Sequence, residues 1–246
     1  MCDFVMLVKL ENPAQLSKVI DIISELVTEV RIKVNEFGFS IVAIDPANVA
    51  MVGFKLPRGA FSQFESGNET LGVNLDDLKK ILKRSGTKSS VILEKQENCL
   101  SIQIHDKIKR IFKLNLIEID SEEKELPNLE FSSKIGIDSA DFVASVEDCA
   151  VVADACSFIV KDGKFILEAK GINSARSEFS GDEAEIKAED CKARYSLEYL
   201  SKFVKGAKIA EKTILNFAND HPLRMDFKNE GMELSFILAP RVETDD

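Results

Sequence analysis

The sequence contains no tryptophan, and only two histidines and two tyrosines stand among its 246 residues. So few imidazoles leave little room for histidine-based catalysis or a histidine-rich metal site. His105 and His221 fall on strand or loop positions in different halves and read as ordinary surface or edge residues. No HExxH, GxxxxGK[ST], GxGxxG or G-x-S-x-G pattern occurs, so the signatures of zinc proteases, P-loop nucleotidases, dinucleotide enzymes and serine hydrolases are all missing. Carboxylates adjacent in sequence, such as Asp76 with Asp77 and Glu122 with Glu123, point apart or into solvent instead of sharing a site. No apolar run approaches the ~20 residues needed to span a bilayer. The five cysteines (Cys2, Cys99, Cys149, Cys156, Cys191) are odd in number, form no CxxC pair and have no histidine at ligand spacing. With no signal peptide at the start, that usage fits a reducing cytosol and cysteines acting as small apolar residues. These absences predict a cytoplasmic protein that uses no metal, cofactor or membrane and is not an enzyme. A carboxylate-dependent enzyme on a duplicated α+β scaffold is the alternative from another class.

Positive charge is also in deficit, with 32 basic residues against 42 acidic ones and a net charge of −10. A nucleic-acid binder usually carries a basic excess. The total does not decide the matter, because an acidic chain can still hold one basic surface. What is present is the composition of a folded protein: 45% hydrophobic, 30% charged, with 12 glycines and 6 prolines. The length fits one large or two smaller domains.

An internal repeat favours two. Residues 73–86 read VNLDDLKKILKRSG and residues 195–208 read YSLEYLSKFVKGAK. At an offset of 122 residues, Leu75 falls on Leu197, Asp76 on Glu198, Leu78 on Leu200, Lys80 on Lys202 and Lys83 on Lys205. The flanks repeat as well. Amphipathic stretches at 13–27 and 139–150 each precede a strand pair, 31–45 turning near Gly38 and 156–171 turning near Gly163. Further strands follow each lysine-bearing helix, at 90–95, 100–106 and 108–119, then at 213–218, 223–228 and 232–242. Each half therefore reads strand, helix, strands, helix, strands. Between them, residues 118–130 (EIDSEEKELPNLE) hold six acids against one lysine and show no sustained periodicity, as a surface connector does. The expected division is 1–117, the connector 118–130, and 131–246.

Four helices carry apolar stripes at spacings of three and four. They are Leu16, Val19, Ile20, Ile23 and Leu26; Leu75, Leu78, Ile81 and Leu82; Phe142, Val143, Val146 and Ala150; and Leu197, Leu200, Phe203 and Val204. Opposite these stripes the second helix bears Lys79, Lys80, Lys83 and Arg84, and the fourth bears Lys202, Lys205 and, just beyond, Lys208. The first adds only Lys18 and the third adds no base. A lysine run on one helix is ordinarily a solvated face. Two equivalent basic helices in an acidic chain point instead to a surface held at positive potential for phosphates. Lysines without interleaved aromatics or base-reading side chains suit duplex backbone of any sequence, held loosely. The acids crowd the connector, residues 178–190 and the tail 243–246.

These segments resemble the proliferating cell nuclear antigen family in its archaeal form. The similarity is carried by IDPANV (44–49), GVNLDDLKKILKR (72–84), Leu126-Pro127, YLSKFVKG (199–206) and LAPRVE (238–243), and runs over essentially the whole chain. The resemblance implies an α+β fold of two similar clamp domains per subunit, with helices lining a ring and antiparallel sheets outside. It implies a DNA sliding clamp that encircles duplex DNA as a homotrimer, with one subunit of a heterotrimer as the close alternative. Implied partners are a clamp loader of the replication factor C type, and DNA polymerase, flap endonuclease and DNA ligase docking through short PIP-box peptides. The implied peptide pocket is Ile44, Val49, Leu126, Pro127, Pro222, Leu223, Ile237, Ala239, Pro240, Arg241 and Val242. At the implied subunit interface, residues 106–116 of one subunit meet about 174–181 of the next. There Arg84 and Arg110 face Asp148 and Asp141, so Arg84 has two candidate roles. The chain departs from the family pattern at Glu147, Glu198 and Lys124.

Overall fold

The computed structural model describes residues 6–120, 122–229 and 231–242. Cys2 and the acidic tail 243–246 lie outside them. The described chain divides into two compact units. One comprises 6–44, Val52–Leu126 and 231–233; the other comprises Asp45–Met51, Pro127–Asn229 and 234–242.

The first eleven elements are β1 (Leu7–Leu10), α1 (Ala14–Ile23), β2 (Glu29–Asn35), β3 (Gly38–Ile44), β4 (Ala50–Pro57), β5 (Gln63–Glu65), β6 (Glu69–Asn74), α2 (Leu75–Leu82), β7 (Ser90–Gln96), β8 (Cys99–His105) and β9 (Lys109–Asn115). The next eleven repeat that order. They are β10 (Ser133–Asp138), α3 (Ser139–Val152), β11 (Ala155–Lys161), β12 (Lys164–Lys170), β13 (Ser174–Phe179), β14 (Ala184–Ala188), β15 (Cys191–Ser196), α4 (Leu197–Phe203), β16 (Lys212–Phe217), β17 (Leu223–Asn229) and β18 (Met232–Leu238). Pairing repeats too. Strand order β5-β1-β7-β8-β9 in the first unit is matched by β14-β10-β16-β17-β18 in the second, and β4-β3-β2-β6 by β13-β12-β11-β15. The paired strands run antiparallel. Leu75 and Leu197, aligned by the sequence repeat, each open a helix. The duplication is therefore one of structure as well as of sequence.

Local chemistry explains where the helices start and stop. Asn74 caps α2 by accepting from the Asp77 N–H at 3.2 Å, and Asp76 and Asp77 place negative charge at its positive end. Asp138 caps α3 through the N–H groups of Ala140 (2.8 Å) and Asp141 (3.3 Å). The first helix is shorter than the amphipathic stretch 13–27: it closes at Ser24, whose hydroxyl bonds the Asp21 carbonyl, while Leu26 and Val27 stay buried beyond it. The fourth tightens after Phe203 into a 3-10 turn, Val204–Lys208.

The helices pair α1 with α2 and α3 with α4, and their stripes face the core. Every stripe position of α1 and α4 is buried. On α3, Ala150 is exposed and Cys149 takes the inward place; 142, 146 and 149 keep the spacing of one helical face, which 150 leaves. The core of the second unit gathers around Phe158, whose ring lies 5.2 to 6.0 Å from Tyr195, Phe165, Phe217 and Phe142 in edge-to-face contacts. Cys149 and Cys156 are hydrogen-bonded to each other in this core; that contact lowers the Cys149 thiol and, with burial, pushes Cys156 well up. Gly38 opens β3 at φ 128°, where a Cβ would strike the Leu56 carbonyl.

Candidate nucleic-acid interface

On α1 and α2 the basic residues stand among acids. Lys83 Nζ lies 2.8 Å from Asp21 Oδ1 and Lys79 Nζ lies 3.7 Å from the same atom. Lys79 also reaches Ser24 Oγ at 2.9 Å and Asp76 at 3.5 Å, so it is half-buried and turned toward α1. Lys80 stands farthest into solvent, its side chain 74% exposed and 3.0 Å from Asp77, a bond that raises its ammonium above the usual lysine range. Lys18 and Arg84 are exposed, and their side chains make no hydrogen bond or ion pair among the described residues.

In the second unit Lys202 is bonded to Glu198 at 3.2 Å and rests over the Tyr199 ring at 5.2 Å. Lys205 is half-buried and Lys208 is exposed. The outer face of α3 carries Asp141, Glu147 and Asp148, all exposed, and no base. Exposed ion pairs of this kind contribute little to stability. Their acids are readily exchanged for phosphate oxygens, and the positive potential is uneven from helix to helix.

The residues expected at the subunit interface separate cleanly. Arg110 lies next to β9's start, is ion-paired with Asp106, and donates from Nη1 to the Arg84 carbonyl at 3.1 Å. Asp141 and Asp148 belong to α3, which packs against β12 and β13. Both β9 and β13 end their sheets. Ile108 (64% exposed) and Ile111 (55%) sit at and beside β9, and Val151 (84%) and Ile172 are exposed near β13 in the second unit.

The pocket residues divide between the units. In the first, residues 116–120 and 122–126 run without regular structure along β2 and β6: the Ile117 N–H bonds the Gly72 carbonyl (2.9 Å), Arg31 donates to the Ile119 carbonyl and Lys33 pairs with Glu123 (2.7 Å). A Cβ on Gly72 would strike the Ile117 carbonyl, and one on Gly53 would strike Leu126. Those two glycines let the segment lie close. Ile44 is half-buried at the end of β3. In the second unit the loop 45–49 is tied down by Asp45, which accepts from the N–H groups of Ala47 (3.2 Å), Val49 (2.8 Å) and Ala50 (2.7 Å). The Val49 carbonyl accepts from Ala239 (2.9 Å), the Arg241 N–H donates to the Arg194 carbonyl (2.7 Å), and the Arg241 side chain meets Asp154 (2.7 Å). Pro127 and Val242 are exposed, and Pro222 and Pro240 half-buried. Two expected members do not offer a surface: Leu223 is fully buried and Ile237 is 6% exposed, because both point inward on β17 and β18. They are core residues of their unit.

Asp21 and Tyr199 went unnoticed as contributors. Asp21 offered no signal, since its tie to Lys83 joins two helices 62 residues apart. Among the described residues, no group of three or more His, Cys, Asp or Glu side chains is placed to hold a metal ion, and no helix is long and apolar enough to cross a membrane.

A duplicated α+β chain with one lysine-bearing helix in the same place of each unit defines a class of protein that meets a large anionic ligand without chemistry. Known proteins of this kind are similar over nearly the whole length. The family model of the proliferating cell nuclear antigen N-terminal domain matches residues 5–124 and that of its C-terminal domain matches 125–242. The DNA polymerase sliding clamp of Pyrococcus abyssi is 36% identical over 250 residues, covering 95% of this chain and 97% of that protein. DNA polymerase sliding clamp 1 of Thermococcus kodakarensis is 38% identical over 229 residues, covering 89% and 92%. The crystal structure of the proliferating cell nuclear antigen of Entamoeba histolytica superposes with a TM-score of 0.90 at 26% identity, covering 96% of this chain and 99% of that one. The chain belongs to the proliferating cell nuclear antigen family, with archaeal sliding clamps among its relatives.

Proposed function

We propose that this chain is a subunit of a DNA sliding clamp, a non-enzymatic processivity factor that closes into a homotrimeric ring around duplex DNA and tethers DNA polymerase. One observation carries the reading. Basic helices recur at the same place in both halves of a chain whose net charge is −10. Lys18, Lys80, Lys83, Arg84, Lys202, Lys205 and Lys208 line the hole, and Lys79 joins them by exchanging Asp21 for phosphate. Backbone contacts of this kind are independent of sequence and weaken steeply with salt. They serve sliding only if the ring itself prevents escape.

Ring closure uses the two exposed sheet edges. β9 of one subunit adds to β13 of the next, which hides edges that otherwise invite uncontrolled pairing and covers Ile108 and Ile111. Arg110 and Arg84 then approach Asp148 and Asp141 across the junction. Partners, including a clamp loader of the replication factor C type, flap endonuclease and DNA ligase, dock by short peptides with aliphatic and aromatic anchors on Ile44, Val49, Leu126, Pro127, Pro222 and Ala239–Val242. The site of action is on DNA inside the cell.

Sedimentation of the purified chain tests the assembly. Three chains of 27.4 kDa give about 82 kDa, the expected mass. A species near 27 kDa that reaches the trimer mass only with a second polypeptide means a heterotrimeric clamp.

A further inference from the structure

We propose that Tyr199 is a positioning residue whose hydroxyl braces the 45–49 loop, from the lysine-bearing helix α4, in the conformation that receives a partner peptide. The carboxylate of Asp45 is the centre of this loop and is only 5% exposed. An ionised carboxylate accepts and does not donate, with about four lone-pair positions. Here four donors reach it: Val49 and Ala50 N–H on Oδ1, and Ala47 N–H and the Tyr199 hydroxyl (2.6 Å) on Oδ2. Three of these come from the loop and its own strand. Tyr199 comes from 154 residues away and is the side chain that fixes where the carboxylate sits.

Tyr199 is held in turn. Its ring lies 6.3 Å from Phe203, and Lys202, bonded to Glu198, covers its face. At the far side of the loop, the Val49 carbonyl takes the Ala239 N–H at 2.9 Å. One hydroxyl thus joins the helix that carries Lys202 to both the 45–49 loop and the 239–242 segment. The protonation states suit the bond. Donation to Asp45, followed by burial, pushes the Tyr199 hydroxyl up to about 12, so it remains a donor at neutral pH. Burial raises the Asp45 carboxyl, but the Tyr199 hydroxyl and the three backbone N–H groups outweigh it and hold the group below the usual carboxylate range.

The docking role rests on placing the partner pocket at this loop; the brace itself does not. Tyr199→Phe in the full chain keeps the ring and removes only the donor. Amide hydrogen exchange on the free protein should then quicken by roughly tenfold at Val49 and Ala50, with α4 amides and the sedimenting mass unchanged. Unchanged exchange at Val49 and Ala50 overturns the proposal. The second measurement is the affinity of Tyr199→Phe, Asp45→Asn and the double variant for a synthetic peptide bearing one aliphatic and two aromatic anchors. Each single change should weaken binding several-fold, and the double should be no weaker than the worse single, because both remove one interaction. Fully additive losses overturn the pairing. Faster exchange with parental peptide affinity overturns the docking role and the pocket assignment together, while the brace stands.

Discussion

Changing Lys80, Lys83, Lys202 and Lys205 together to glutamate is expected to leave the trimer intact and to cut clamp-dependent processive synthesis by on the order of tenfold or more at moderate salt. The four side chains lie on helix faces directed away from the buried stripes, so no core contact is lost. Each exchange replaces a phosphate partner with a repelling charge. The salt dependence of DNA association should flatten by roughly 3 to 4 logarithmic units of slope, one per lost contact. Asp21→Asn should move the other way. It frees Lys79 and Lys83 from a shared acid without touching a lysine, so DNA association should strengthen modestly. Primer-extension length at several salt concentrations reads both effects. Parental extension by the quadruple variant contradicts the lysine assignment.

Leu126→Ala combined with Pro240→Ala is expected to weaken binding of an anchor-bearing peptide by at least about 30-fold, the equivalent of about 2 kcal/mol, because few buried anchors carry most of such an interface. DNA association should be unchanged. Leu126 owes its place to the missing Cβ of Gly53, and Pro240 follows the Ala239 bond to Val49. Titration calorimetry with the isolated peptide gives the affinity directly. An unchanged dissociation constant puts the pocket elsewhere.

Much of this was legible from the chain alone, for reasons that can be named. Helices α2 and α4 announce themselves because charge and apolarity repeat together at fixed spacing, so that Leu75 and Leu197 superimpose as helix starts. The hairpins at Gly38 and Gly163 were visible because both turns need a positive φ, and the structure gives 128° and 73°. Strands β5, β6, β13 and β14 were not separately legible, being short and largely polar on their exposed faces. On α3, Cys149 displaced Ala150 as a core residue because helical phase decides between neighbours of similar apolarity.

At the candidate site the lysines were legible and their partners were not. Ties such as Lys83 to Asp21 and Tyr199 to Asp45 join segments distant in sequence, and no local pattern marks them. Leu223 and Ile237 show the opposite failure. A family motif names positions, and strand alternation determines which of them reach the surface.

The most direct measurement is retention on DNA before and after linearisation. Clamp loaded onto nicked circular duplex by its loader is passed over a sizing column at high salt, then the circle is cut once and the run repeated. Enclosure requires the protein to travel with the circle and to leave once ends are available. Protein that stays equally on both forms, or is lost equally from both, contradicts retention by a closed ring.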